Sequence, residues 1–586
     1  MSERLVRIGG ASGAWGDSPT AMPQLLTAEV EYFVMDYLAE VTMSLLARAR
    51  MKDARAGFPP DFVKDLAANL AEISKRGIRV VTNAGGVNPA ACRDTIAAAA
   101  AEMGLSPKIA IVEGDDMLPH ADLLRIEGEA ADRPELLTAN AYLGALPICA
   151  ALDAGADIVI TGRCADSALA LGVLMHEFGW DEGDFDRLAA GSLVGHVLEC
   201  GPQATGGIHT DWDKVPGWEN IGYPIAACAG DGSFTLSKPP ETGGLITPGV
   251  VAEQVLYEIG DPAAYLLPDV TADFSNVSIR QTGPDEVHVS GARGRPPTPT
   301  YKVSATWLDG YRAVATISIV GPDAAKKAHR TGEALVARGR ALLARNGLGD
   351  FSFTHAEALG AESAYPPEQR NEATREAVLR LVLAHKDRRA LDLVSKEVGS
   401  IGISFAPGTT GIMGGRPRAT PLIRLLTAFV DKAKLPAPIV TIEGRSFEVP
   451  VPEGEAHGSV MSTEGETAQP DMGETITIPL LTLAFARSGD KGNSSNIAII
   501  ARKPEYLPFI RREVTAERML AHFKGLVDGP AERFEAPGIH ALNFLLQDAL
   551  GGGGIASPRI DPQGKAFGQM ALEMLVEVPR DLVESA

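Results

Sequence analysis

The chain has 586 residues, of which 45% are hydrophobic and 22% are charged, and its formal net charge at pH 7 is −21. This length predicts more than one domain, because a single hydrophobic core rarely extends over so many residues. The negative charge disfavours nucleic acid and anionic membranes as partners unless a local basic patch overrides it, and the sequence shows no such patch. The net charge does not exclude a small polyanionic ligand, because local donors decide its binding.

Localisation and redox state follow from what the sequence lacks. No apolar run reaches the roughly 20 residues that span a bilayer, and the N-terminus does not resemble a signal peptide, so we expect a cytoplasmic protein. The five cysteines are widely spaced and include no C-x-x-C pair. This spacing disfavours a disulfide framework and a structural zinc site, and it favours buried free thiols.

One kind of junction recurs in the first 200 residues: an apolar run, a Gly-rich polar turn and a helix start. The runs cover 5–10, 78–81 and 156–160, with a further short strand at 109–112 and helices at 25–49 and 62–76. Strands that alternate with helices predict an α/β domain with a parallel sheet. Its turns then lie at the carboxyl ends of the strands, around a crevice suited to an anionic ligand.

Further along the chain, Pro and Gly become frequent between about 201 and 330, and short alternating runs predict an antiparallel-rich middle region. We predict helices at 323–345, at 371–383 and near 423–432. Residues 454–475 are rich in Glu, Gly, Ser and Thr and predict a linker. The domains are therefore expected at 1–453 and 476–586, the second being a small α+β domain of ferredoxin-like size.

The first two turns supply the candidate anion-binding residues. They contain neither the dinucleotide-binding fingerprint nor a P-loop, but each ends in a polar cap followed by proline, at Ser18-Pro19 and Asn88-Pro89. Ordinary helix capping explains each turn separately, whereas two turns facing one crevice favour an anion site. The candidate substrate-binding residues here are Gly10, Ser12, Gly13, Asp17, Asn83, Gly85 and Gly86.

Two further motifs of charged residues carry candidate chemistry in the first domain. Glu113, Asp115 and Asp116 could hold a cation or work as acid and base, or form a solvated acidic loop. Arg163 could grip a carboxylate or phosphate that Asp166 orients or deprotonates, or the two could form a structural ion pair.

Cys200 lies beside a Gly-rich turn and is a candidate nucleophile. His196 and His209 are conceivable partners for it, but sequence spacing does not establish their geometry. The alternative is one more buried thiol.

The densest polar segment covers 487–496, between two apolar runs near the C-terminus. A plain hairpin turn needs only one or two such residues, so we expect this loop to reach the crevice of the first domain, in the same chain or across a subunit interface. Asp490 is the candidate for proton transfer and Lys491 for countering negative charge, with Arg487 and Asn493 as binding residues. A structural role is the alternative.

With these motifs, the chain resembles the acyclic terpene utilisation family (AtuA) in its fused two-domain form. The resemblance rests on Gly9-Gly10-Ala11-Ser12-Gly13 through Asp17-Ser18-Pro19, Asp36-Tyr37-Leu38-Ala39-Glu40, Thr82-Asn83-Ala84-Gly85-Gly86, Thr161-Gly162-Arg163 with Asp166, Glu199-Cys200 to Gly207, and Arg487-Ser488-Gly489-Asp490-Lys491-Gly492-Asn493. It implies a C-terminal ferredoxin-like domain and a place in the catabolism of terpenoids and branched acyl chains through coenzyme A thioesters. It supplies no catalytic residues.

Together these observations predict an enzyme of acyl-CoA catabolism, a lyase or hydratase acting on a branched or isoprenoid acyl-CoA. We expect a coenzyme A thioester as substrate, no tightly bound cofactor, no metal, no nucleic acid or membrane partner, and a homo-oligomer. One alternative is a non-catalytic subunit or scaffold for an acyl-CoA carboxylase or lyase. The other is a metal-dependent hydrolase or aldolase built on Glu113, Asp115 and Asp116.

Overall fold

The computed structural model describes residues 4–126, 134–456 and 470–584. The first 200 residues alternate strands and helices, as their pattern predicts. The elements are β1 Val6–Ser12, α1 Ala21–Leu25, β2 Tyr32–Met35, α2 Glu40–Lys52, α3 Pro60–Arg76, β3 Arg79–Thr82, α4 Pro89–Glu102, β4 Ile109–Glu113, β5 Arg125–Ile126, β6 Leu136–Ala141, α5 Leu146–Asp153, β7 Ile158–Thr161, α6 Ala168–Phe178 and α7 Phe185–Leu198.

One prediction in this region is wrong. A single helix was expected over 25–49, but β2 interrupts it, and only α2 continues as helix. The run Tyr32-Phe33-Val34-Met35 is fully buried and pairs in parallel with both β1 and β3. A short apolar run cannot be distinguished from buried helix by periodicity, and here the sheet decides.

The helix boundaries follow local chemistry. In α3, Phe62, Leu66, Leu70 and Ile73 lie on one buried face, and the helix ends at Gly77 in the left-handed conformation. That spacing is typical of an amphipathic helix, and a left-handed glycine is typical of a helix C-terminus. Asn88 caps α4 by accepting the N–H of Ala91 at 3.4 Å.

The middle of the chain contains mostly antiparallel strands. Its elements are β8 Ile225–Cys228, β9 Phe234–Ser237, α8 Pro248–Val255, β10 Tyr265–Leu266, β11 Thr271–Asp273, β12 Ser278–Gly283, β13 Glu286–Ser290, β14 Arg293–Arg295, β15 Thr300–Val320, α9 Ala324–Arg345, β16 Phe353–Leu359, β17 Glu376–His385, α10 Arg388–Val398, α11 Ile401–Ser404, β18 Thr409–Met413, β19 Thr420–Asp431, β20 Ile439–Ile442 and β21 Arg445–Glu448.

The largest sheet has eleven strands in the order β12-β13-β9-β8-β1-β2-β3-β7-β4-β20-β21. Its five central strands, β1, β2, β3, β7 and β4, are parallel, and antiparallel strands flank them on both sides. The parallel sheet is therefore the centre of a mixed sheet.

A second sheet is built on the 21-residue strand β15, which pairs with β6, β17, β18 and β19. The helices expected at 371–383 and near 423–432 are wrong, since β17 and β19 occupy most of these residues. Both segments contain good helix formers, but pairing along β15 outweighs that local preference.

The C-terminal region contains β22 Thr475–Pro479, β23 Ala484–Lys491, β24 Ser494–Ala501, α12 Leu507–Glu513, α13 Ala516–His522, β25 Ala531–Ala536, β26 Ala541–Leu546, α14 Phe567–Ala571, β27 Leu575–Pro579 and α15 Arg580–Glu584. A four-stranded antiparallel sheet, β23-β24-β26-β25, packs over its own core around Phe523 and Phe544.

Most of the expected linker, residues 457–469, lies outside the described residues, so the domain boundary stays a prediction. Within 4–126, 134–456 and 470–584, no helix combines the length and apolar character that crossing a bilayer requires.

Candidate active site

The carboxyl edge of the parallel strands holds a buried polar cluster. Asp36 directly follows β2, Asn83 directly follows β3, and Arg163 is the second residue after β7. The fully buried Asn83 accepts the N–H of Tyr37 at 2.8 Å through Oδ1, and its amide donates to the Asp36 carboxylate. Asn83 therefore positions the Asp36 carboxylate.

Arg163 is held on several sides and is 3% exposed. Its guanidinium donates to the carbonyl of Leu38, stacks on Tyr142 with 4.3 Å from Cζ to the ring centroid, and lies 3.4 Å from the Asp166 carboxylate. The predicted neighbours Arg163 and Asp166 thus form an ion pair. Such a fixed guanidinium can orient a carboxylate precisely.

The acidic group after β4 does not converge on one point. Asp115 is buried and accepts the N–H of Arg163 at 2.9 Å, whereas Glu113 and Asp116 are exposed. Burial raises the pKa of Asp115 to about 6. Among the described residues, no three His, Cys, Asp or Glu side chains are grouped to hold a metal ion, so a metal site on this segment has no geometric support.

Three carboxylates line one small cavity in the crevice. Asp36, Asp166 and Glu199 share its wall with Ser12 and with apolar residues of β2, α6 and α7. Its volume of about 10 Å³ is room for a single water molecule. The Asp166 side chain is 30% exposed, which makes it more accessible to solvent than the Glu199 side chain at 12%.

The burial of this cavity changes its proton affinities. Burial raises the pKa of Asp36 to about 6, although the Arg163 charge opposes the rise. Burial likewise raises the pKa of Glu199. Burial alone lowers the pKa of His196, but the Glu199 carboxylate 3.0 Å away outweighs it, so the net pKa is raised. Carboxyl groups with raised pKa values can hold and release protons near neutral pH.

The glycine turns are closely packed against protein atoms. A Cβ on Gly10 would lie 2.8 Å from the Leu198 carbonyl oxygen, and one on Gly13 would lie 2.7 Å from the Cys200 carbonyl carbon. A Cβ on Gly85 would lie 2.4 Å from the Thr161 carbonyl oxygen. These glycines allow segments of the backbone to approach one another, and their predicted contact with substrate is untested.

The side chains of the first turn are also engaged with the protein. Ser12 donates to the carbonyl of Asp36 at 2.9 Å, and Asp17 accepts the N–H of Gly13 at 2.9 Å and the hydroxyl of Tyr223 at 2.5 Å. The second turn has positive φ at Gly86, which favours glycine there. Of this group, Ser12 and Asp17 each line a cavity.

The environment of Cys200 does not activate its thiol. Burial, and then the Glu199 and Glu258 carboxylates, raise the pKa of Cys200 well above its ordinary value. The thiolate is the nucleophilic form, so this thiol is a poor nucleophile near neutral pH. The other candidate partner, His209, lies 3.1 Å from Glu253, with which it forms a buried pair.

The polar segment 487–496 differs from the expected loop. Residues through Lys491 belong to β23, β24 begins at Ser494, and Gly492-Asn493 form the turn. The hairpin lies against the first domain of the same chain, where Asn496 donates to the Leu256 carbonyl at 2.8 Å. These polar strand residues therefore contact the other domain, and the hydrophobic periodicity of the sequence does not reveal such a contact.

The hairpin side chains extend the cluster. Lys491 places its ammonium 5.1 Å from the ring centroid of Tyr265, whose ring in turn contacts His196 at 5.8 Å. Asp490 lies 3.7 Å from the ammonium of Lys565, which also donates to Glu258 at 2.8 Å. The crevice and the hairpin therefore belong to one network of charged and aromatic groups.

Arg487 and Asn493 have local partners. Arg487 stacks on Tyr257 at 4.4 Å and donates to the Ile208 carbonyl at 3.2 Å and to Gln203. Asn493 accepts the N–H of Gly552 at 2.6 Å. Both residues connect the hairpin to its surroundings, and their role toward substrate is untested.

Two family models match this chain. The model described as "Acyclic terpene utilisation family protein AtuA" matches residues 6–441, and the "AtuA ferredoxin-like domain" matches residues 478–577. The chain belongs to the AtuA family. The resemblance inferred from the motifs is confirmed, and the C-terminal domain is the family's ferredoxin-like domain. No curated protein and no solved structure matches the chain.

Several residues of the buried polar cluster and of the adjoining hairpin network had no functional role predicted from the sequence. Asp36 was hidden because its strand was predicted as helix, although an acidic residue directly after an apolar run was the available signal. His196 was considered only as a partner of Cys200, although its i, i+3 spacing from Glu199 at the same helix end could have paired those two residues. Tyr265, Glu258 and Lys565 come from distant segments and left no local signal.

Proposed function

We propose that this AtuA family member is an enzyme of acyl-CoA catabolism, a lyase or hydratase that acts on a branched or isoprenoid acyl-CoA. The family places it in acyclic terpene utilisation. The proposal of a lyase or hydratase rests on the cavity lined by Asp36, Asp166 and Glu199 beside Arg163, at the carboxyl edge of the parallel strands. This edge is where open α/β sheets bind ligands.

Hydration of an unsaturated thioester adds a hydroxyl group to Cβ and a proton to Cα, and elimination reverses both steps. The reaction needs a base, an acid and a positive charge near the developing enolate. Asp166, paired with Arg163, is the base in this proposal. Asp36, with its pKa raised to about 6, is the acid, and Asn83 orients its carboxyl group.

The C-terminal hairpin supplies the remaining charge. Lys491 lies over Tyr265 beside the His196–Glu199 pair, where an ammonium can stabilise an enolate oxygen. Asp490, held near Lys565, is a second group able to transfer a proton. Because the cavity volume of about 10 Å³ leaves room for only one water molecule, acyl binding must displace side chains that line it.

The assay uses the purified full chain with branched enoyl-CoA and 3-hydroxyacyl-CoA thioesters. Mass spectrometry detects gain or loss of one water, or cleavage of the acyl chain. Asp166→Asn is expected to lower kcat by about 100-fold or more, the usual effect of removing a general base. Asp116→Asn is the matched control, since Asp116 is an exposed carboxylate that accepts the Leu118 N–H at 3.0 Å.

A second candidate is a non-catalytic subunit of an acyl-CoA carboxylase or lyase, and the small cavity volume favours it. The two functions differ in one result. Turnover by the isolated chain that Asp166→Asn abolishes supports the enzyme. Full activity of Asp166→Asn removes this residue from the mechanism, and absence of turnover with every thioester supports the subunit.

Binding can be tested independently of turnover. A ligand that binds only the folded protein adds about 2.7 kcal/mol of stability at 100 times its Kd. A thermal-shift series with free coenzyme A, short acyl-CoAs and isoprenoid acyl-CoAs therefore ranks the substrate classes. We expect the isoprenoid thioesters to give the largest shift, and equal shifts for all acyl groups would contradict the proposed specificity.

A further inference from the structure

Three large apolar side chains are exposed in the segment that joins α7 to β8. Trp212 and Trp218 are 60% and 59% exposed, and their rings form an edge-to-face pair with centroids 6.1 Å apart. Ile208 is 60% exposed and has a φ of +52°, which a β-branched residue rarely adopts. Exposed apolar surface of this kind, kept in place by an unusual backbone conformation, is typical of a binding surface.

The exposed segment is fixed between the two domains. The hydroxyl of Thr210 donates to the carbonyl of Ala486 at 3.1 Å and accepts the N–H of Ala486 at 3.0 Å. Asp211 accepts two hydrogen bonds from the guanidinium group of Arg502, at 2.7 and 2.8 Å. These bonds flank Trp212 directly along the chain, so the segment that carries it is ordered before any partner binds. A surface that is already ordered loses little entropy on binding.

An exposed carboxylate follows each tryptophan. Asp213 and Glu219 are both exposed, and neither forms an ion pair within residues 4–126, 134–456 and 470–584. The adjacent cation, Lys214, already pairs with Asp211 at 2.8 Å. Apolar surface and uncompensated negative charge therefore occur together here. We call the following residues the acidic patch: Ile208, Trp212, Asp213, Trp218 and Glu219.

A second exposed surface carries the opposite charge. Ile403 on α11 is 93% exposed and Met413 on β18 is 54% exposed, and α11 packs against β18. Arg416 and Arg418 follow β18, are exposed, and form no ion pair with residues that the structure describes. A Cβ on the intervening glycines 414 and 415 would meet no atom within 4 Å, so this surface is open. We call the following residues the basic patch: Ile403, Met413, Arg416 and Arg418.

The exposed tryptophans suit a protein surface better than a small molecule. Small ligands are usually enclosed by a pocket, and the two cavities near Ser12 include none of the acidic-patch side chains. Protein interfaces, in contrast, are centred on tryptophan and arginine side chains and carry a charged rim. The acidic patch and the basic patch each have this composition.

The two patches complement each other chemically. The acidic patch offers two indole rings and two carboxylates, and the basic patch offers a thioether and two guanidinium groups. Indole rings contact thioether sulfur and guanidinium groups favourably, and carboxylates bind guanidinium groups. Two acidic patches or two basic patches that faced each other would place like charges opposite each other. The charges therefore favour a contact between unlike patches.

We propose that the acidic patch of one copy of this chain binds the basic patch of a second copy. A tryptophan side chain buries about 150 to 250 Å² when it is covered, so the two exposed rings supply a substantial part of the roughly 800 Å² that each partner in a stable interface buries. Every copy carries both patches, so the contact repeats from copy to copy, and it closes into a ring if the rotation between copies allows. This interface does not depend on the reaction proposed above.

Charge reversal of the full chain tests the interface by sedimentation velocity over a series of concentrations. The wild type is expected to self-associate. Asp213→Lys with Glu219→Lys, and separately Arg416→Glu with Arg418→Glu, are each expected to weaken this association by about 100-fold or more, because like charges then meet. Arg445→Glu, at an exposed arginine of β21, is the matched control and leaves the association unchanged. Thermal unfolding of each variant shows that it is folded.

Mixing the two double variants identifies which patches meet. Each variant alone is expected to be a monomer, but each retains one intact patch, so an equimolar mixture associates again. A mixture that stays monomeric overturns the proposal. If either double variant assembles as the wild type does, the patch reversed in it is not at the interface, which also overturns the proposal. A wild type that is monomeric at every concentration overturns it as well.

Discussion

Replacing Arg163 by lysine tests whether the crevice depends on the shape of the guanidinium as well as on its charge. Lysine keeps the positive charge but loses the flat group that stacks on Tyr142 at 4.3 Å and the fork that reaches both the Leu38 carbonyl and Asp166. A buried cation–π contact contributes about 1 to 2 kcal/mol and a charged hydrogen bond about 1.5 to 3 kcal/mol. Since lysine recovers part of both, we expect Arg163→Lys to lower the free energy of unfolding by about 2 kcal/mol.

The assay can isolate the first domain. All five tryptophans precede residue 308, so tryptophan fluorescence during urea unfolding reports on the first domain and not on the C-terminal one. Arg338→Lys is the matched control, because Arg338 stacks on Phe405 at 4.6 Å but is 41% exposed and far along the chain in α9. We expect this control to cost less than about 1 kcal/mol.

The effect on activity separates a functional role from a structural one. If Arg163 orients Asp166, the Arg163→Lys variant loses about tenfold or more in kcat/KM, since a displaced base transfers protons poorly. Lower stability with unchanged kcat/KM would make the Arg163–Asp166 pair structural. Unchanged stability and activity together would refute the argument from stacking and hydrogen bonding altogether.

Three further predictions concern stability. Burial raises the pKa of Asp269 from 3.8 to about 6, so the folded state binds the proton more tightly than the unfolded state, and this residue costs stability as pH rises through that window. Between pH 4 and pH 7, the Tm of Asp269→Asn should therefore rise relative to the Tm of the wild type, and a constant difference would contradict this prediction. The Asn543 amide donates to two backbone carbonyls of the first domain at 2.8 and 2.6 Å, and Asn543→Leu removes that donor. The free energy of unfolding, measured by urea titration, should fall by about 2 to 4 kcal/mol. A neutral result would show that this contact does not stabilise the packing of the two domains. Gly85→Ala forces a Cβ toward the Thr161 carbonyl and should lower the free energy of unfolding by about 1 to 3 kcal/mol. Gly183→Ala, where a Cβ meets nothing within 4 Å, is the control and should leave the stability unchanged. Equal Tm values for the two variants would show that the turn at Gly85 can relax.

Short-range patterns were enough for the centre of the first domain. The strands that lead into Asn83 and Arg163 were predicted because an apolar run, a polar Gly-rich turn and a helix cap follow one another within about 15 residues. The family itself was identified from these turns and from the polar hairpin. Each of these signals is local, so tertiary contacts were not needed to recognise it.

Local patterns failed where pairing partners were distant. Residues of β2, β17 and β19 were assigned to helices, because short or leucine-rich runs suit either structure and only the neighbouring strand selects one.

The sequence by itself determined the family, the turns at the carboxyl ends of the parallel strands and the residues Asn83, Arg163 and Asp166 that lie there. Tertiary structure decided which groups surround them. It buried Asp36, Glu199 and His196 around one cavity and brought Lys491 to Tyr265 from the other domain. The physical reason is that burial and charge pairing, which set the chemistry of a carboxyl or an ammonium group, depend on neighbours far away in the chain.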